Sequence, residues 1–233
     1  MIKLRYVAAT ALAAALSAPA VFAADGQGIS SADSPHNFYG EAWNVGYGGS
    51  NGDICTVCHA PHDHGRTLFE NGYLWNHQLA TTTYVMYSSD SLDGAQDAQP
   101  TGVAKLCLGC HDGSVGVDQF GSTTPGTVFL SSIANSSGTD QNSLAGVHPI
   151  SIVYDPSADS GLNPTSTVVS DSDTGATSGT IADILFDGSK VQCASCHDVH
   201  NTLGETVPNT ALLRVNKRGT AVPSELCLTC HNK

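Results

Sequence analysis

Four copies of one short motif account for all eight cysteines of this 233-residue chain. Each copy reads Cys-x-x-Cys-His. Two thiols at this spacing can bond the two vinyl groups on one porphyrin edge, and the histidine that follows can bind the iron. We therefore predict four covalently bound haem c groups. Motif 1 holds Cys55, Cys58 and His59, motif 2 holds Cys107, Cys110 and His111, motif 3 holds Cys193, Cys196 and His197, and motif 4 holds Cys227, Cys230 and His231.

Two other uses of cysteine compete with haem attachment. Structural zinc sites are also built from paired Cys-x-x-Cys units, and an exported chain can pair its cysteines in disulfides. Zinc does not require a histidine directly after the second cysteine, yet all four copies have one. The repeated histidine therefore favours haem over both alternatives.

The amino terminus has the pattern of a signal peptide, residues 1–23. Lys3 and Arg5 precede a mostly Ala and Leu run from residue 7 to 21, and a small-residue cleavage site ends at Ala23. The run is broken by Pro19 and is shorter than the roughly 20 residues that cross a bilayer. We expect an exported chain, residues 24–233, without a membrane span. Its expected location is extracellular or at the cell surface, with the periplasm as the alternative.

The composition limits the fold class. Only 6% of residues are aromatic, and there are 24 glycines, which is poor material for an ordinary core. We predict a compact, haem-organised fold of mostly irregular coil with short helices and a few short strands. The formal net charge of -12 becomes about -14 without Lys3 and Arg5, which disfavours nucleic acid and anionic lipid as partners.

An internal duplication divides the single mature domain. Residues 55–62 match residues 193–200, and residues 106–112 match residues 226–232. This predicts one haem pair in residues 36–120 and another in 191–233. We interpret the Ser/Thr/Gly-rich segment 121–190 between them as an irregular surface layer, with strand-like runs at 127–130 and 150–154. Its piece at 171–175 lacks the later bidentate acid of a calcium loop and reads as a solvated linker.

Six histidines remain to fill the opposite face of each iron: His36, His62, His64, His77, His148 and His200. Four would make every haem bis-imidazole. Met86 is the only methionine left after the signal peptide, and it lies in an alternating run, Tyr84–Tyr87, that suits packing better than ligation. Two imidazoles per iron would keep the reduction potentials low.

The distal ligands can be ranked by position. His62 and His200 each lie three residues beyond a motif histidine, too close to reach the far side of the same porphyrin. The simplest assignment sends His62 to the haem of His111 and His200 to the haem of His231. The remaining two irons are left to His36, His77 and His148, any of which could instead be a surface or hydrogen-bonded residue.

His64 is the weakest candidate for a distal ligand, and His36 is the strongest candidate to ligate another copy of the chain. His64 lies two residues past His62 and is expected to be solvent-exposed. His36 lies on a Gly/Ser-rich arm about 20 residues before motif 1, from which it could reach the iron of another copy of the chain.

The sequence resembles the doubled-CXXCH multihaem cytochromes. The resemblance rests on the pairing of Cys-x-x-Cys-His-x-x-His with Leu-Cys-Leu-x-Cys-His, and on the segments 74–77, 146–149 and 226–233. Within this family the chain is most similar to the tetrahaem cytochromes that polymerise into extracellular nanowires in metal-reducing bacteria. The resemblance implies bis-histidine haems, alternating stacked and T-shaped porphyrins, and one iron ligated across the subunit boundary.

These observations predict an electron-transfer protein, not an enzyme, acting outside the cell and polymerising head to tail with copies of itself. Redox partner cytochromes or acceptors such as metal oxides are the expected partners. The alternative is a discrete periplasmic or outer-surface shuttle with the same haems. A small multihaem reductase is a third interpretation, but it needs an iron with an exchangeable position, and none of the four motifs varies.

Overall fold

Short elements joined by long stretches of turn and extended chain make up the architecture. The computed structural model describes residues 28–32, 34–44, 52–60, 73–121, 125–130, 142–170, 177–200, 212–215 and 225–232. Within these ranges the elements are helix α1 (Gly102–His111), strands β1 (Ile152–Val153), β2 (Val168–Ser170) and β3 (Thr177–Thr180), a 3-10 helix (Ile181–Ile184), strand β4 (Lys190–Val191), and helices α2 (Cys193–Cys196) and α3 (Glu225–Cys230). The predicted mixture of irregular coil, short helices and short strands is therefore confirmed.

Helix α1 is the longest described element and contains motif 2. Ala104, Leu106 and Leu108 are strong helix formers and turn their side chains into the interior. The helix begins at Gly102, where φ is +52° and a Cβ would overlap the carboxylate of Asp187. Glycine is therefore required at this start because both the backbone angle and the close approach exclude a side chain.

Two antiparallel strand pairs organise the second half of the chain. Strand β1 pairs with β4, and β2 pairs with β3, with a register shift between Val168 and Ser170. The main hydrophobic cluster lies beside them and consists of Tyr154, Val169, Ile181, Ile184 and Val215. Leu226 and Cys230 of α3 pack against this cluster, so the same core supports motif 4.

The interpretation of residues 121–190 as a surface layer was wrong for its second half. Val169 and Ile181 have no exposed surface, and Ile184 is buried as well. Several apolar residues of this polar segment pack in one hydrophobic cluster. The high content of Ser and Thr does not reveal this cluster. The strand-like run at 150–154 contains β1. The piece at 171–175 lies outside the described residues.

A smaller cluster packs helix α1 against its surroundings. It consists of buried Tyr84, Leu108 and Leu144, with Met86, Val147 and Ile150 packed around them. Met86 therefore lies where its alternating run predicted, in side-chain packing.

The run at 127–130 is extended but forms no strand, contrary to prediction. The carboxylate of Asp118 accepts hydrogen bonds from the N–H groups of Thr127, at 2.9 Å, and of Val128, at 3.1 Å. These bonds occupy the donors that a sheet would use. One backbone bond, from Val117 N to Val128 O at 2.8 Å, fixes the segment.

Polar contacts join helix α1 to the β1–β4 pair. Lys190 and Asp97 form an ion pair at 2.7 Å, and the Thr101 hydroxyl donates to the same carboxylate at 2.7 Å. Burial tends to raise the pKa of Asp97, but these two donors outweigh it and the pKa is lowered. Within the described ranges no helix is long and apolar enough to cross a bilayer.

Adjacent valines of β2 provide a test of where the core lies. Val169 has no exposed surface, whereas Val168 is 57% exposed. We expect Val169→Ala to lower the free energy of unfolding by about 2 kcal/mol, because it removes buried methyl groups and leaves a cavity. Val168→Ala, the matched control, should change it by less than about 0.5 kcal/mol. Denaturant unfolding of both variants measures the difference, and equal effects would contradict this placement of the core.

Candidate functional site

All four motifs adopt the same local shape, one helical turn that ends at the histidine. The histidine N–H donates to the carbonyl of the first cysteine in motif 1 at 2.8 Å, in motif 3 at 3.0 Å and in motif 4 at 2.8 Å. Motif 2 lies within helix α1. Residues three apart share a helix face, so each turn presents both thiols on one side. The shape therefore suits attachment to one edge of a flat group.

The duplication seen in the sequence is repeated in the backbone. His59 pairs with Trp75 through an isolated antiparallel bridge, and His197 pairs with Leu213 in the same way. The residue before each partner, Leu74 or Leu212, has a φ of +52°. Motifs 1 and 3 are therefore held by equivalent returning segments.

The thiols of successive motifs lie next to each other. Cys107 of motif 2 and Cys193 of motif 3 share a hydrogen bond, which raises the pKa of Cys107 and lowers that of Cys193. Burial raises the pKa of Cys110 to about 12, and the nearby thiol of Cys58 in motif 1 contributes to this rise. Motif 2 thus adjoins both motif 1 and motif 3.

Motif 3 adjoins motif 4 in the same manner. Burial raises the pKa of Cys196 to about 11, and the thiols of Cys230 and Cys227 add to it. The first cysteine of motif 1, Cys55, and the first of motif 4, Cys227, are both exposed to solvent. Motifs that are consecutive in the chain therefore have neighbouring thiols, and we call this series of four the motif row; its first and last members each present a cysteine to water.

Among the residues that the structure describes, three motif histidines each face a second histidine. The ring centres are 6.0 Å apart for His36 and His111, 6.2 Å for His59 and His200, and 6.2 Å for His148 and His231. An imidazole nitrogen binds a metal at about 2 Å and lies about 1.1 Å from its ring centre, so two imidazoles on opposite sides of one ion have centres about 6 Å apart. The three pairs have the separation that an iron between them requires.

Hydrogen bonds to backbone carbonyls orient several of these rings. Nδ1 of His59 lies 2.7 Å from the Tyr73 carbonyl oxygen, and Nδ1 of His148 lies 2.9 Å from that of Pro149. A carbonyl accepts only a protonated nitrogen, so Nε2 of each ring carries the free lone pair. This is the arrangement by which an outer hydrogen bond prepares an imidazole to bind a metal.

His36 is half-buried within its own chain. Burial lowers its pKa to about 4, and the neighbouring His111 adds to the effect, so the ring is neutral at neutral pH. Phe38 packs on Trp43 with ring centres 5.2 Å apart, and Trp43 meets Phe120 at 6.4 Å. This aromatic contact anchors the segment around His36 to the segment that follows motif 2.

The described ring pairings differ from the simplest ligand assignment made from the sequence. His200 stacks on His59 with the ring planes 18° apart, and His148, not His200, faces His231. His111 faces His36. The short distance along the chain excluded His62 and His200 as ligands of the iron at the motif just before them. It could not show which other iron each would ligate, because that depends on how distant segments pack. His62 and His64 lie outside the described residues.

His77 has a different environment from the paired histidines. It is almost fully buried, its Nδ1 lies 2.9 Å from the Gln78 carbonyl oxygen, and its Nε2 lies 3.3 Å from the sulfur of Cys110. The returning segment after motif 3 has Val215 at the equivalent position. The ring therefore packs beside a thiol of motif 2.

Two features of motif 2 were not anticipated from the sequence. A Cβ on Gly109 would lie 2.8 Å from the Gln78 carbonyl oxygen, so the glycine lets the returning segment approach the helix. The carboxylate of Asp112, directly after His111, is fully buried and accepts hydrogen bonds from Thr82, Tyr84 and Ser114. Only the difference between the two repeats, Gly against Thr229 and Asp against Asn232, could have pointed to them.

Comparison with known proteins adds no further identification. No protein-family model matches the sequence, and no match was found among curated proteins. Within the described residues, no three His, Cys, Asp or Glu side chains are grouped to hold a bare metal ion. The chemistry must therefore be argued from the motif turns and the paired imidazoles.

The close approach at Gly109 gives a second test. We expect Gly109→Ala to destabilise the fold by about 1–3 kcal/mol, because the new methyl group must displace the Gln78 carbonyl. The control is Thr229→Ala in motif 4, which removes one hydrogen bond to the Glu225 carbonyl and should cost at most about 1 kcal/mol. Thermal unfolding of both variants measures the difference, and a harmless Gly109→Ala would refute the tight contact.

Proposed function

We propose that this protein is an electron-transfer cytochrome that binds four haem c groups along the motif row. The observation that carries the proposal is the imidazole spacing: within the described part of the chain, His111, His59 and His231 each face a second histidine at 6.0–6.2 Å between ring centres. Each such pair joins one histidine next to a Cys-x-x-Cys turn with one from a distant segment, as axial ligation from both faces requires.

The described residues fit haem in chemical detail. The motif turns offer two thiols on one side, and the paired imidazoles offer ring nitrogens from two sides. Within the described ranges, Nδ1 of His36 and Nε1 of Trp75 are buried without a hydrogen-bond partner, as expected where a bound group would lie. Haem iron, when bound, supplies reversible one-electron chemistry in which one centre is oxidised as its neighbour is reduced. The chain's own residues fix the spacing of these centres and exclude other reactions.

From these pairs we propose three of the distal ligands: His36 for the iron of His111, His200 for that of His59, and His148 for that of His231. The duplication suggests the fourth. His62 is the counterpart of His200, and His197 is the counterpart of His59. Since His200 crosses from the second repeat to the first, we assign His62 to the iron of His197 as the reciprocal ligand. His77 is then not a ligand.

Electrons would enter and leave at the ends of the motif row. Cys55 and Cys227 are exposed there, so a porphyrin edge attached at either end would be accessible to a partner. The acidic sequence suits exchange with oppositely charged surfaces or redox proteins. We propose an exported protein whose partners are other cytochromes or extracellular acceptors such as metal oxides.

For the assembly we propose an extracellular homopolymer joined head to tail, in line with the family resemblance. The described contacts favour surface contacts between the exposed ends of the row over a shared ligand, because His36 faces His111 of its own chain. A head-to-tail contact that does not close yields an open filament. The pairing of His36 with His111 of the same chain also suits the alternative, a discrete electron shuttle. Electron microscopy of secreted material distinguishes fibres from monomers.

The haem content is the primary test. We expect the matured chain to carry four covalent haems by intact mass, and to show the sharp visible bands of a ferrous low-spin cytochrome after dithionite. The resting protein should not bind cyanide, because every iron would already have two imidazoles. A colourless matured preparation would refute the proposed function, whereas cyanide binding would favour a reductase.

The distal assignment is tested by comparing two histidines. We expect His36→Ala to leave four haems attached but convert one of them to a high-spin form, because one iron loses its distal imidazole. His77→Val, which copies Val215 of the second repeat, should leave all four haems low-spin. Visible and EPR spectra of the two oxidised variants provide the measurement. A high-spin haem in His77→Val would identify His77 as a ligand and overturn the assignment.

A further inference from the structure

We propose that the buried carboxylate of Asp112 holds the haem of motif 2 at a lower reduction potential than the haem of motif 4. The inference rests on the proposed function. It assigns a role to a residue that lies outside the Cys-x-x-Cys-His motif and is not a proposed iron ligand. Asp112 acts through its charge, one residue after the motif histidine, so it is a tuning residue and not a ligand.

The environment of Asp112 is built to hold a carboxylate. Its side chain has no exposed surface. Oδ2 accepts hydrogen bonds from the Thr82 hydroxyl at 2.8 Å and the Tyr84 hydroxyl at 2.7 Å, and Oδ1 accepts from the N–H and hydroxyl of Ser114, both at 2.8 Å. All of these groups donate, as a deprotonated carboxylate requires. The donors are neutral, so they solvate the charge without cancelling it.

The position of Asp112 in helix α1 argues against a role in helix stability. Asp112 is the C-cap of the helix, where the partial negative charge of the helix end disfavours an acidic side chain. Burial adds a desolvation cost. Three separate side chains nevertheless converge to satisfy it. An unfavourable charge that the surroundings support this fully is typical of a functional requirement.

The tyrosine in this network responds to the charge. Burial raises the pKa of Tyr84, and the hydrogen bond to Asp112 raises it further. The hydroxyl therefore stays protonated and continues to donate to Asp112. Tyr84 also belongs to the cluster that packs against Leu108 of helix α1, which fixes the donor relative to motif 2.

The second repeat lacks this charge. The residue after the motif 4 histidine is Asn232, which is exposed and neutral. Its side chain donates to the Ser160 carbonyl at 3.3 Å, and its backbone N–H donates to the Gly161 carbonyl at 3.0 Å. Equivalent positions in the two repeats thus present a buried negative charge in one and a solvated amide in the other.

The sign of the effect follows from electrostatics. Reduction adds one electron to the haem, and a nearby negative charge opposes that addition. The opposition is strong where water is excluded, because the effective dielectric constant is low. The haem of motif 2 should therefore be harder to reduce than that of motif 4. If both irons have two imidazole ligands, an electron would therefore reside on the haem of motif 4 in preference to that of motif 2.

Ring orientation separates the affected haem from that of motif 1. The ring planes are 60° apart for His36 and His111 and 61° apart for His148 and His231, so motifs 2 and 4 share the crossed arrangement, whereas His59 and His200 are 18° apart. In low-spin ferric haems, crossed imidazoles give a highly anisotropic EPR signal and near-parallel ones give a rhombic signal. A change at motif 2 should therefore appear in the first signal and not in the second.

The test is potentiometric titration of the matured holoprotein, followed by visible and EPR spectra. We expect Asp112→Asn, which copies the second repeat, to shift one midpoint upward, in the highly anisotropic signal. The reciprocal variant Asn232→Asp should shift one midpoint downward by a smaller amount, because its new charge faces water. Tyr84→Phe keeps the charge and removes one donor, so it should shift the midpoint of motif 2 downward.

The outcomes separate this inference from the proposed function. Unchanged midpoints in Asp112→Asn with four low-spin haems would overturn the role of Asp112 and leave the cytochrome intact. A shift confined to the rhombic signal would overturn it as well. If Asp112→Asn fails to mature, Tyr84→Phe decides, and an unchanged midpoint there refutes the inference. Absence of haem from the unsubstituted protein would refute the proposed function itself.

Discussion

The separation of about 6 Å between facing imidazoles is the constraint on which the rest of this fold depends. Each observed pair joins residues far apart in the chain: His36 with His111, His59 with His200, and His148 with His231. Bringing such segments together has an entropic cost that the sparse apolar residues offset only in part. Bonds to a shared iron would supply the remainder, as staples do in other small-core proteins. Helices and strands can then stay short because they no longer carry the fold alone.

The sequence was most informative where the chemistry is local. The turn at each motif follows from the spacing of its cysteines, and the duplication predicted equivalent surroundings for motifs 1 and 3. The partner of each histidine could not be predicted in the same way. His200 lies next to motif 3 in the sequence, yet its ring stacks on His59 of motif 1. This contact arises from packing between the two repeats. The core around Val169 and Ile181 was hidden for a similar reason, since its members are scattered through a polar segment.

Three of the differences between the two repeats lie close to motif 2. His77 stands where the second repeat has Val215, Gly109 where it has Thr229, and Asp112 where it has Asn232. The glycine admits the returning segment, which places His77 beside Cys110, while Asp112 brings a charge into the interior. Duplication thus provided two similar frames, and a small number of substitutions gave one of them a distinct electrostatic environment.

The left-handed backbone at Leu74 and Leu212 shows what the two halves have kept in common. A leucine in this conformation costs about 1 kcal/mol relative to an ordinary one, and nothing in its side chain requires the kink. The residues that follow have diverged, from Trp75 and Asn76 to Leu213 and Arg214, yet both segments turn at the same step. What was inherited here is a bend of the main chain, and side-chain identity was free to drift around it.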